Sequence, residues 1–126
     1  MSNTAPADIA HDPIRAMAHF FMLATQSDTG HARVAAKVLL AMYNGPRFPL
    51  DVSELRVLDA EHTEMALTLL RWNASPPMEV HDALDKAYRR SDFGHRFELL
   101  AYERGFKGKC TKVNVPKGLQ PLNLAY

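Results

Sequence analysis

One cysteine, one tryptophan and six glycines in 126 residues deny this chain several ways of being a protein. Cys110 alone cannot close an internal disulfide, nor can one thiol complete a zinc-finger ligand set. Its apolar runs stop at four to six residues, far short of the roughly 20 that a membrane-spanning helix needs, so no membrane association is expected. The first eight residues lack both the basic start and the apolar run of a secretion signal, and the expected setting is a reducing cytoplasm. There is no glycine-rich phosphate loop, no Gly-x-Ser-x-Gly turn, no internal repeat and no low-complexity block.

Apolar side chains are plentiful: 47% of residues, against 23% charged, which is ordinary for one globular domain of this length. Their spacing is helical. Asp12-Pro13 is a cap followed by a proline that fits the first helical turn, and Ile14, Met17, Ala18 and Phe21 then keep the period to about residue 26. Asp28 or Thr29 caps a second helix, 29–44, with Val34, Ala35, Val38, Leu39 and Met42 on one wide stripe and Asn44-Gly45-Pro46 as a left-handed exit. So short a connection predicts a helical hairpin. Pro46 and Pro49 enclose Phe48 in a loop, and Asp51 ahead of Glu54 favours a helical turn over 50–58, although the same residues could form a strand.

Asp59 caps a third long helix, 60–73, expected to be buried over most of its circumference, and a surface helix over 78–90 follows. Gly94 is read as a break before a last helix, 95–104, stopped by Gly105. The expected architecture is all-α: a mobile arm over 1–11, a compact bundle of about five helices over 12–105, and a basic, extended C-terminal tail over 106–126 with Leu119, Leu122 and Leu124 as docking points.

The net charge of +1 conceals a split. Residues 1–85 hold six Lys/Arg against eleven Asp/Glu, or −5, whereas 86–117 hold nine against three, or +6. Lys86, Arg89, Arg90, Lys107, Lys109, Lys112 and Lys117 are therefore the candidate nucleic-acid contacts, with Arg96 and Arg104 beside them and Tyr88, Phe93, Tyr102 and Phe106 placed for stacking.

His62, His81, Asp82 and Asp85 invite comparison with the HD-type metal phosphohydrolases, which gather several imidazoles and carboxylates around a divalent ion. The 19-residue separation of His62 from His81 and the solvated-face positions of the others fit poorly, and Glu61 and Glu64 sit where a helix dipole favours acids anyway. No catalytic residue, metal ligand or cofactor is assigned from the sequence.

Ser27-Asp28-Thr29-Gly30 running into the helix that ends Tyr43-Asn44, then Phe48-Pro49-Leu50-Asp51-Val52-Ser53-Glu54-Leu55 and Leu58-Asp59, resembles an uncharacterised domain family of proteobacterial mobile elements such as plasmids, phages and integrated regions. The likeness covers about Ala16 to Leu70 and weakens out to Phe97-Glu98, with Ser27 where a glycine is usual. It implies a fold of caps and core and brings no activity with it. The expected function is binding rather than catalysis: a protein-interaction accessory or inhibitor of a mobile element, with a nucleic-acid-binding accessory protein as the alternative and a metal-dependent hydrolase as the weaker one.

Overall fold

The computed structural model of the chain describes residues 6–106, 120 and 122–126. Among them the secondary structure is helical throughout, with no strand: α1 Pro6–His11, α2 Pro13–Gln26, α3 Gly30–Tyr43, a 3-10 turn Val52–Val57, α4 Ala60–Ala74, α5 Val80–Tyr88 and α6 Phe93–Glu103.

The helix starts are those that the side chains dictate. Asp12 accepts from the amides of Ile14 and Arg15, Thr29 from that of Ala32, and Asp59 from that of His62, so each satisfies donors that helix geometry leaves unpaired. Asp51 caps the 3-10 turn through the Ser53 amide, so within 50–58 the helical part is Val52–Val57.

α2 and α3 form the expected hairpin and are the middle of the structure. Met17, Phe20, Phe21, Val38, Leu39 and Leu40 are all essentially inaccessible, and residues on several sides of each helix are buried, so neither can rest against a single neighbour. α4, α5 and α6 cover them. Phe93 and Phe97 of α6 meet Phe21 with ring centroids 5.2 Å apart in each case, and Tyr43 stacks on Phe97. Phe48 anchors the proline loop, 2% exposed, with Arg47 over one face of its ring and Phe106 at its edge.

Several expectations are corrected. Residues 6–11 of the expected arm form α1, tied to α4 by the Thr68 hydroxyl, which donates to the Ala10 carbonyl at 2.6 Å, and by His11 lying 3.7 Å from Glu64. Gly94 does not break a helix but lies inside α6; the chain turns earlier, at Arg89, whose φ of 55° is left-handed. Gly105 does stop α6 with φ 91°, whereas Asn44 leaves α3 in an extended conformation. α4 buries only Met65, Ala66 and Leu69, and Leu67 is 45% exposed. Of the tail, Leu122 and Leu124 are docked and buried as expected, while 107–119 lie outside the described residues.

Two buried charges on α6 are fully partnered. Glu98 accepts both guanidinium nitrogens of Arg47, at 2.7 and 2.8 Å, and the Tyr43 hydroxyl, which binds loop, α3 and α6 together. Arg96 donates to Asp92 and to the Gln120 carbonyl, each at 2.7 Å.

Arg47 holds the Glu98 carboxyl below its ordinary value, and Arg90 with Arg96 does the same for Asp92. Burial and then Glu98 push Tyr43 up to about 12. A lowered carboxyl contributes stability above the unfolded-state values of 4.5 and 3.8 that is lost as pH falls through the folded ones; a raised phenol contributes stability below 10.0 that is lost as pH rises towards about 12. Urea midpoints should therefore be level through neutral pH and drop at both ends, and Glu98→Gln should weaken the acid-side dependence.

Candidate functional site

Three surface features compete for a functional reading. The first is an apolar groove of about 450 Å³, open to solvent, between the start of α2, the end of α4 and α5. Ile14, Trp72, Pro77, Met78, Ala83 and Ala87 line it, and Lys86 is the one charged residue among the described lining residues. Its origin is local: α4 ends at Ala74 and α5 starts at Val80, and the connection that Pro76-Pro77 keeps out of helix places Pro77 and Met78 beside Trp72 in the lining.

The second is a polar cleft of about 310 Å³ lined by Tyr43, His81, Asp82, Asp85, His95 and Glu98. Here the fold gathers three of the four residues that suggested an HD-type hydrolase. Of these, only Asp85 is engaged elsewhere; the Nδ1 of His81 is buried with no hydrogen-bond partner among the described residues, and its Nε2 lies 3.6 Å from Asp82. Asp85 accepts from the Phe93 amide at 3.1 Å and so caps α6, Glu98 is saturated by Arg47 and Tyr43, and His81 packs edge-on against Tyr43. His62 is not in this cleft, so the four-residue grouping is not assembled.

His62 belongs to the third feature, a seam of histidines where α2, α3 and α4 meet. Its ring stacks with that of His31 at 4.9 Å and with that of His19 at 5.4 Å. Asp59 accepts from the His62 backbone amide at 2.9 Å and bonds the ring Nδ1 at 2.8 Å with the same oxygen, so the residue that caps α4 also orients the imidazole. The Nε2 atoms of His62 and His19 face each other at 3.4 Å, and His19 Nδ1 meets the Tyr126 hydroxyl at 3.0 Å. Burial, and then His62, hold His19 below its usual value while Glu61 opposes them.

One ligand atom each from His31, Asp59 and His62 lies within 4.8 Å of the others, the spread of a cation site. Sequence reasoning passed over this cluster because His31 stands 28 residues before Asp59 and 31 before His62. The one local signal was Asp59-x-x-His62 at a helix start, which places a carboxylate under a ring.

Of the candidate nucleic-acid contacts, Lys86, Arg89 and Arg90 are exposed at the end of α5, but Arg90 is held by both oxygens of Asp92. Lys107, Lys109, Lys112 and Lys117 lie outside the described residues. Arg104, also in the basic third, is spent internally: it donates to the carbonyls of Ala24 and Ser27 and to Asp28, closing the C-terminus of α2.

The span from the start of α2 into α6, with the Thr29, Asp51 and Asp59 caps inside it, matches the model of a family of unknown function, DUF7673, over residues 14–102. The chain belongs to DUF7673. No curated protein and no solved structure matches it. The DUF7673 span runs from Ile14 of the groove into α6 and includes His19, His31, Asp59 and His62, whereas Tyr126 lies beyond it.

Within this DUF7673 domain Asp59 has two separable duties. Asp59→Ala should lower the urea midpoint through the lost cap, and Asp59→Asn, whose amide oxygen also caps, should recover most of that loss while removing the charge beside His62. Equal losses in the two variants would place the stabilisation in the carboxylate's charge instead.

Proposed function

We propose that this domain is a non-enzymatic protein-interaction module, an accessory or inhibitor protein of a proteobacterial mobile element, that receives an amphipathic helix of its partner in the groove between α4 and α5. The mobile-element setting rests on the resemblance of the hairpin and Asp51–Asp59 segments. The binding mode rests on one observation: an open groove of about 450 Å³ whose described lining is apolar apart from Lys86.

A cavity of that size admits two or three large aliphatic side chains, the anchors that a helix offers at i, i+3 or i+4, and i+7. Lys86 makes no ion pair among the described residues, so its ammonium at the rim favours a partner whose apolar face is flanked by carboxylates. Trp72, the one tryptophan of the chain, lies in the lining and reports occupancy directly.

The test titrates the full chain with a helical peptide of about 16 residues, long enough to hold a helix when bound, that has leucines at those spacings and flanking glutamates. Tryptophan emission should shift to the blue with a dissociation constant on the order of ten micromolar, about 6.8 kcal/mol. Ala87→Glu, at an exposed position, should weaken binding at least about tenfold, and a lysine-flanked peptide should bind more weakly. An unchanged emission spectrum, or binding indifferent to Ala87→Glu, contradicts the proposal. Salt-sensitive retention of DNA that depends on Lys86 and Arg89 would favour the nucleic-acid alternative.

A further inference from the structure

Three helices contribute one imidazole each to the seam: His19 from α2, His31 from the first turn of α3 and His62 from the first turn of α4. We infer that these three histidines form a site for a divalent transition-metal ion, Zn²⁺ by the chemistry of its donors, with Asp59 as the positioning residue for His62. This goes beyond the groove and shares no residue with it.

The geometry carries the inference at two points. In tetrahedral zinc sites with metal–nitrogen distances of about 2.0–2.1 Å, neighbouring ligand atoms lie roughly 3.3 Å apart. The Nε2 atoms of His19 and His62 stand 3.4 Å apart, already at that separation. A carboxylate bonded to the remote nitrogen of a metal-binding histidine fixes its tautomer and makes the near nitrogen a better donor. Asp59 and His62 make that contact at 2.8 Å, leaving Nε2 as the ligating atom.

His31 is the adjustable member. The cation-spaced group among the described residues is His31, Asp59 and His62, without His19, so His31, which stacks on the His62 ring and is half-exposed, has to rotate to reach the Nε2 pair. The fourth position is left to water.

Proton accounting is simple. With His62 protonated on Nδ1 towards Asp59, the ion-free pair is satisfied when His19 carries its proton on Nε2 and donates it to His62, the Tyr126 hydroxyl donating to His19 Nδ1. When an ion enters, the His19 proton moves to Nδ1 and the Tyr126 oxygen accepts it. Each neutral imidazole keeps one proton, and none is released.

Imidazole donors suit zinc, copper and nickel, whereas calcium and magnesium take oxygen ligands, which sets the expected selectivity. An ion held there would join α2, α3 and α4.

The experiment is a calorimetric titration of Zn²⁺ into tag-free full-length protein carrying Cys110→Ser, which removes the one thiol. One equivalent should bind with a micromolar or tighter dissociation constant. His19→Gln and His62→Gln should each weaken it at least about 100-fold, and His81→Gln should leave it unchanged. Asp59→Asn should weaken it by about 10- to 100-fold, as loss of a supporting carboxylate does. Substitution by Co²⁺ gives a second readout: Asp59→Asn should keep the tetrahedral absorption bands, while His62→Gln loses them. Should the His62 variant fold poorly, His31→Gln, at a half-exposed position, supplies the same comparison. Absence of stoichiometric binding, or binding that survives His19→Gln and His62→Gln or vanishes in His81→Gln, overturns the inference.

Discussion

Two neighbouring helices, α2 and α3, carry apolar side chains around so much of their circumference that both have to be enclosed. Phe20 and Phe21 are adjacent in sequence and point to different sides of α2, as Leu39 and Leu40 do on α3, and all four are at most 1% exposed. Each keeps only a narrow wet stripe, Arg15, His19, Leu23 and Gln26 on α2 and Arg33, Lys37 and Ala41 on α3, so other elements must be laid against them from several directions. The positions of α4, α5, α6, the Phe48 loop and the docked Leu122 and Leu124 follow from that requirement. Each fully buried phenylalanine or leucine side chain contributes about 1.5–3 kcal/mol, so a core of this size outweighs any one polar contact in the structure.

Polar groups collect where the covering elements meet. Glu98 with Arg47 and Tyr43 closes the junction of the proline loop, α3 and α6, and Arg104 closes the turn between α2 and α3 from the far end of α6. A buried ion pair adds little net stability, but removal of one member leaves an unpaired charge. The histidine seam occupies the junction of α2, α3 and α4, and the apolar groove marks a place where the covering of α2 is incomplete. The surfaces with functional potential are thus by-products of how the central hairpin is enclosed.

What could be read from the sequence was what is local. Asp12, Thr29, Asp51 and Asp59 announce their caps because each bonds an amide two or three residues away, and the three-and-four spacing of apolar residues places the helices within a few positions. Long-range partners stayed hidden. Gly94 reads as a breaker, yet it sits against His81, where a Cβ would lie 3.6 Å from the ring. The turn is made by Arg89 and braced by Arg90 on Asp92, which no propensity shows. The basic third looks like a nucleic-acid surface until Arg96 and Arg104 are seen donating to carbonyls and carboxylates within the fold. His19, His31 and His62 have no common spacing, and only the hairpin with α4 laid across it brings them together.

Native-state hydrogen exchange tests the dominance of the hairpin most directly. If the bundle is organised by enclosure of α2 and α3, the amides of Phe20, Phe21, Leu39 and Leu40 should exchange only through global unfolding, with protection equal to the full unfolding free energy, and α5 should open at lower cost. Faster exchange in α2 and α3 than in α5 or α6 would contradict it.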